Sequence, residues 1–295
     1  MRTRMLQFFG CVCLLCALCA CAVVPEPAAA VETPFPEPTP MQPVEETLAT
    51  STPVMPVQFD LPTPVPTVIA TPEPLPPLSG IVIGLDPGHQ RQADHGLEQV
   101  APGGTEYKAK CSTGTRGTVS NVYEYEVTLS VALKLKALLE AQGAKVVITR
   151  TGHDVHLSNR QRADFMNENE VDLAVRLHCN GVDDPAVRGA FMLVPTRERT
   201  EHFTENVQAA TAIIEHYCAV TGIEMRKNNG ITYRDNQTGF NWCTRPIVCI
   251  EMGHMSNENE DLLLTNEQFQ DKMAVGIFDG ILAYFHPDGN EGGGN

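Results

Sequence analysis

The sequence predicts an α/β fold: a single three-layer domain with a mostly parallel central sheet flanked by helices. Three observations carry that reading. Short apolar runs such as Ile81–Leu85 and Ile247–Ile250 are continuous rather than alternating, as in strands buried on both faces. Longer segments with apolar residues at helical spacing lie between such runs, and strand–helix alternation builds parallel layers. The stretch from residue 79 to 286 is also ample for one hydrophobic core.

In order, Ile81–Leu85 reads as the first strand. Tyr123–Gln142 reads as a helix, with Val127, Val131, Leu135 and Leu138 on one face and Gly143 as its stop. Lys145–Thr149 is a strand, Leu157–Asn169 a helix, Val171–Leu177 and Ala190–Val194 strands, and His202–Thr221 a helix. Gly222–Trp242 is rich in Asn and Gly and reads as a hairpin or surface loop. Ile247–Ile250 follows as a strand and Asn266–Phe285 as a closing helix. The segment Asp86–Val122 exceeds ordinary connections, and a loop of that length is usually functional or disordered.

The remainder of the 295 residues divides sharply by composition. Arg2 and Arg4 precede an apolar run from Met5 to about Ala20, which suits a secretory signal better than a membrane span. Leu18-Cys19-Ala20-Cys21 resembles the lipobox of bacterial lipoproteins, which implies lipidation of Cys21 and a tether to the outer face of a cytoplasmic membrane. Residues 22–78 hold 16 of the 22 prolines and no Lys or Arg, so they read as an acidic, disordered linker. At about 3.1 Å per residue its extended reach is on the order of 150–180 Å. Residues 287–295 read as a disordered tail.

A formal charge of −15 argues against nucleic acid as a partner. Five of the ten cysteines fall within the first 21 residues. The others (Cys111, Cys179, Cys218, Cys243 and Cys249) contain no CxxC, so a zinc ribbon has no support.

Polar residues cluster where the predicted strands end. Asp86-Pro87-Gly88-His89 follows the first, His178-Cys179-Asn180 follows Val171–Leu177, and Glu251 follows Ile247–Ile250. In a parallel sheet these ends share one edge, where α/β folds place ligands. Glu124, at the head of the first helix, points toward the same edge. Two imidazoles and a carboxylate make a three-ligand metal site with one open position, and a further carboxylate beside it can move a proton. Each residue has a plainer reading. His89 suits a turn, Glu124 suits a capping box with Asn121 and competes with Glu126, and His178 suits a core histidine. Glu251 suits a strand-end ion pair. From the residues alone the inference reaches a metal hydrolase.

Ile81–His89, the Glu124–Leu135 segment, Thr149-Arg150, Arg162 with Asn167, Leu177–Asn180 and Ile250–Gly253 with Ser256-Asn257 occur in that order. Together they resemble the zinc-dependent N-acetylmuramoyl-L-alanine amidases of the type 3 family, over nearly all of residues 80–285. The resemblance implies one zinc ion held by His89, Glu124 and His178, with Glu251 as the catalytic base. It implies peptidoglycan as substrate and residues 79–286 as the catalytic domain of an extracytoplasmic enzyme. Arg162, Asn180 and His254 are candidate substrate contacts; for Arg162 a structural helix-to-loop pair is the alternative, and for His254 an extra ligand or a surface histidine. A regulatory protein partner is left open. Gln90-Arg91 and His254 depart from the family pattern, and Cys179 replaces a small residue beside a ligand. Competing readings are a zinc peptidase of stem peptides, a non-catalytic wall-binding lipoprotein and a solute-binding lipoprotein.

Overall fold

A computed structural model describes residues 75–287. Cys21, the signal segment, most of the linker and the tail beyond residue 287 lie outside the described residues. Six strands form one sheet in the order β4-β1-β5-β8-β6-β7: β1 is Val82–Pro87, β4 Lys145–Ile148, β5 Leu173–Asn180, β6 Phe191–Pro195, β7 Ile231–Arg234 and β8 Ile247–His254. All pairs are parallel except β6 with β8. The helices are α1 (Glu124–Ala141), α2 (Asn159–Glu168), α3 (Phe203–Thr221), α4 (Thr238–Asn241), α5 (Glu258–Leu264) and α6 (Glu267–Phe285). The three-layer α/β architecture expected from the sequence is the one observed.

Strand periodicity decides what each face of the sheet carries. Ile83 and Leu85 of β1, Val175 and Leu177 of β5, and Val248 and Ile250 of β8 point to one side. There they meet Val131 and Leu135 of α1, Ile213 and Tyr217 of α3, and Ile277 and Ile281 of α6 in the main core. The intervening residues point the other way, where Ala163 and Met166 of α2 and Phe240 of α4 pack on Ala174 and Cys249. Asp86, Arg176, His178 and Glu251 belong to this second set by register: Asp86 pairs with Arg176, Arg176 with Cys249 and His178 with Glu251. The thinner helical layer therefore leaves one end of that face free for chemistry.

The long segment after β1 is not formless. It contains an antiparallel hairpin, β2 (Asp94–Gln99) and β3 (Tyr107–Cys111), outside the main sheet. Single-sequence pattern did not reveal it, because β2 (Asp-His-Gly-Leu-Glu-Gln) carries little apolar signal. Asn159 Nδ2 donates to the Lys110 carbonyl and Trp242 Nε1 to the Gln99 carbonyl, which fastens the hairpin across α2 and the loop after α4. The Gly222–Trp242 segment likewise contains a short strand, β7, which pairs parallel to β6.

β8 runs four residues past the predicted strand and ends at His254. Glu251 is thus inside the strand, opposite His178 on one side and Phe191 on the other. The apolar run stops at Glu251 because that side chain faces the site, while the backbone ladder continues.

Candidate functional site

The turn Asp86–His89 is fixed from beneath by buried guanidinium groups. Arg150 donates to the carbonyls of Pro87 and Gly88 (both 2.9 Å) and of Tyr125 at 2.8 Å. Arg162 donates to the Asp86 carboxylate at 2.7 Å, and to the carbonyls of Pro87 and His89, both at 3.0 Å. Arg176 Nε reaches the other Asp86 oxygen at 2.9 Å. Burial alone would raise the Asp86 carboxyl, but Arg162 and Arg176 override it and hold it well below the ordinary carboxylate range.

Of the two readings of Arg162, the structural one is what the geometry supports. Its side chain is 1% exposed and its polar contacts lie within the protein, so it positions the turn rather than meeting substrate. Gln90 has a similar structural role, because its Oε1 accepts from Arg162 and from the Leu157 amide. The sequence signal for this role was Asp86, one residue past a buried strand: a buried carboxylate needs cationic partners.

On that support three ligand atoms converge. His89 Nε2 and His178 Nδ1 each lie 3.1 Å from Glu124 Oε1, and 3.1 Å from each other. Lone pairs facing one another at that spacing repel unless a proton or a cation lies between them. Zinc bonds of about 2.0–2.1 Å in a tetrahedral array would set their atoms about 3.3 Å apart, so the donor set fits such an ion. His89 Nδ1 sits 3.0 Å from the Ser112 carbonyl, which fixes the proton on Nδ1 and turns the Nε2 lone pair inward. Burial depresses the His178 imidazole to about pH 4, so it is neutral, as a ligand must be. Burial would raise Glu124, but His89 and His178 outweigh it and the carboxyl is held low.

Glu124 is anchored by the Thr115 amide at 2.8 Å and the Cys179 amide at 3.0 Å. Glu126, not Glu124, caps the helix: its carboxylate accepts from the Tyr123 amide at 2.9 Å, whereas Asn121 stands at φ 60° outside the cap. The two acidic residues therefore separate cleanly into one cap and one site residue. Two glycines are required by close approach. A Cβ on Gly88 would lie 2.3 Å from the His178 ring, and one on Gly114 would lie 2.5 Å from Glu124 Oε2. Ser112, Gly114 and Thr115 went unnoticed in the sequence because they sit in the long loop, with no periodic pattern to mark them.

Glu251 stands beside the cradle. Burial, reinforced by Glu124, pushes its carboxyl well above the ordinary value, and its Oε2 has no hydrogen-bond partner among the described residues. His178 Nε2 is likewise buried without a partner. Both residues line a cavity of about 290 Å³ whose walls include Lys108 and Ala109 of β3, Asn159 and Thr238.

His254 is fully buried. Its backbone amide donates to Glu260 at 2.7 Å and its Nε2 lies 3.0 Å from Asn180 Nδ2. The expectation of a surface histidine or a substrate contact is therefore corrected: His254 packs behind the site because β8 continues through it. Asn180 is half-buried, with its side chain occupied by His254 and the Gly181 amide, and it holds the bulge between β5 and β8. Cys179 is buried and its thiol is pushed well above the ordinary value by burial, so it is a poor target for oxidation.

Comparison with known proteins agrees with this geometry. Residues 83–283 match the family model described as N-acetylmuramoyl-L-alanine amidase. The germination-specific N-acetylmuramoyl-L-alanine amidase of Bacillus subtilis is 29% identical over 231 residues, spanning 72% of this chain and 84% of that protein. An N-acetylmuramoyl-L-alanine amidase of Mycobacterium tuberculosis is 24% identical, spanning 72% and 89%. Among solved structures, the amidase Ami1 of Mycobacterium smegmatis superposes with a TM-score of 0.66 at 23% identity, covering 72% of this chain and 99% of that one. That likeness is one of fold; the family match extends through every strand and helix that builds the site. The chain belongs to the N-acetylmuramoyl-L-alanine amidase family.

Proposed function

We propose that this chain is a zinc-dependent hydrolase of the amide joining the lactyl group of N-acetylmuramic acid to L-alanine in peptidoglycan. The observation that carries the reading is a three-ligand cradle (His89, Glu124, His178) with half-buried Glu251 across one strand pair, its Oε2 buried and without a partner among the described residues. When bound, zinc would supply the positive charge that acidifies water and polarises the scissile carbonyl. Glu251 takes the proton from the attacking water and returns it to the departing amine of L-alanine. Its surroundings suit it to that transfer, because desolvation, reinforced by Glu124, raises the carboxyl above its ordinary value and so strengthens it as a base toward water. Arg150, Arg162 and Arg176 keep the His89 turn from relaxing between the two transfers.

The signal-like segment ending in Leu18-Cys19-Ala20-Cys21 supports a lipid on Cys21, with the acidic proline-rich stretch as spacer between membrane and wall. Metabolic labelling with a fatty-acid probe tests this, and uptake that persists in Cys21→Ser would remove the anchor.

The decisive experiment for the reaction is a digest of purified peptidoglycan with zinc present. Mass spectrometry is expected to show glycan strands with free lactyl carboxyl ends and stem peptides with free L-alanine amino termini. Shortened peptides still joined to muramic acid would assign a peptidase instead.

A further inference from the structure

The cavity beside Glu251 has a chemistry that the hydrolysis itself does not use. Its lining includes two cationic side chains, Lys108 and Arg176, together with Asn159 and Thr238. Arg176 is one register step behind His178 on the same face of β5, so it forms the floor rather than the edge of the site. Its Nε is held by Asp86 and its Nη2 lies 3.1 Å from Asn159 Oδ1, while Nη1 has no protein acceptor among the described residues. Asp86 is shared by Arg162 and Arg176, so that buried group carries one positive charge in excess. Arg150 adds another, meeting only carbonyls and the Thr128 hydroxyl. Lys108 Nζ donates to the Asn236 carbonyl at 2.8 Å and lies 3.4 Å from Glu106. With its side chain 42% exposed, its ammonium is open to a ligand entering from solvent. Arg176, the member of that group that lines the cavity, brings positive charge to its wall, which attracts anions, and a low-dielectric surround strengthens the pull.

The direction of the chemistry says which part of the substrate lies here. Glu251 protonates the departing amine, so the group beyond that amine extends past Glu251, into the cavity it shares with Lys108 and Arg176. That group is the peptide, not the glycan. We propose that this cavity is a specificity subsite for a carboxylate on the peptide residue that follows L-alanine, bound by Lys108 with Arg176 as its floor. The proposal rests on the amidase reading above and deepens it: the enzyme selects peptides whose second residue carries a free carboxylate over those in which it is amidated.

Two matched N-acetylmuramoyl-L-alanyl peptides test it, differing only in whether the second residue bears a carboxylate or a primary amide. The zinc-loaded wild type is expected to favour the acid by about tenfold in kcat/KM, the size of one charge-assisted hydrogen bond. Lys108→Met is expected to collapse that ratio toward one, mainly through KM on the acid substrate, and Lys108→Glu to invert it. Equal melting temperatures for the variants and the wild type would exclude misfolding. A wild-type ratio near one, or a ratio unchanged in Lys108→Met, would overturn the subsite. Failure of the wild type to cleave either peptide, or purified peptidoglycan, would instead overturn the amidase reading, and the subsite with it.

Discussion

Glu251→Gln is expected to lower kcat by about 10²–10⁴-fold, the range that positioned proton transfer contributes. The amide keeps the shape of the carboxyl and its place in β8, where the backbone ladder to β5 and β6 does not involve the side chain. It loses the capacity to accept a proton from water and to return one to the leaving amine. Because Glu251 is not among the three converging ligand groups, metal content should stay at the wild-type level. The measurement is paired: bound zinc by elemental analysis, and release of lactyl ends from peptidoglycan. Turnover within a few-fold of wild type would assign proton transfer to another group. Loss of zinc in step with activity would make Glu251 a ligand.

Metal removal should have an effect at least as large by a different route. Chelation is expected to abolish turnover, and added zinc to restore it. Glu124→Gln separates the ligand role from general damage. The glutamine side-chain oxygen can still accept one of the amides of Thr115 and Cys179 that the carboxylate holds, but it lacks the charge that offsets a dication beside two imidazoles. Zinc affinity and activity should fall together in Glu124→Gln, opposite to the dissociation between them expected for Glu251→Gln. Ligand binding also stabilises the folded state, by about 2.7 kcal/mol at a hundredfold excess over Kd. Zinc should therefore raise the melting temperature of the wild type and do so far less for Glu124→Gln. A chelator-insensitive digest, or an unchanged zinc-induced shift in the variant, would remove the metal from the scheme.

The behaviour of particular residues shows why some of the site was legible and some was not. His89, Glu124 and His178 were legible because each directly adjoins an element with a clear period, so topology alone brought them to one edge. Glu251 was located correctly but misread as a strand end, since an apolar run stops wherever a side chain turns toward a polar site, whether or not the backbone ladder stops. The hairpin β2–β3 was hidden by polar strands whose support comes from α2 and Trp242 rather than from a core of their own. The role of Arg162 stayed open and His254 was misplaced for one reason: nothing local distinguishes a polar side chain facing substrate from one buried against a partner. Asp86 meets Arg162 across 76 residues of sequence and Arg176 across 90.

The sequence by itself determined the layered α/β architecture, the family and the residues able to hold a metal, because strand and helix periods and motif order are local properties of a chain. Only the tertiary structure decided which glutamate caps α1, which arginine carries the His89 turn and which cationic groups face the cavity beside Glu251. Those are questions of desolvation and partnership, and burial is fixed by residues far apart in sequence that fold to within about 3 Å of one another.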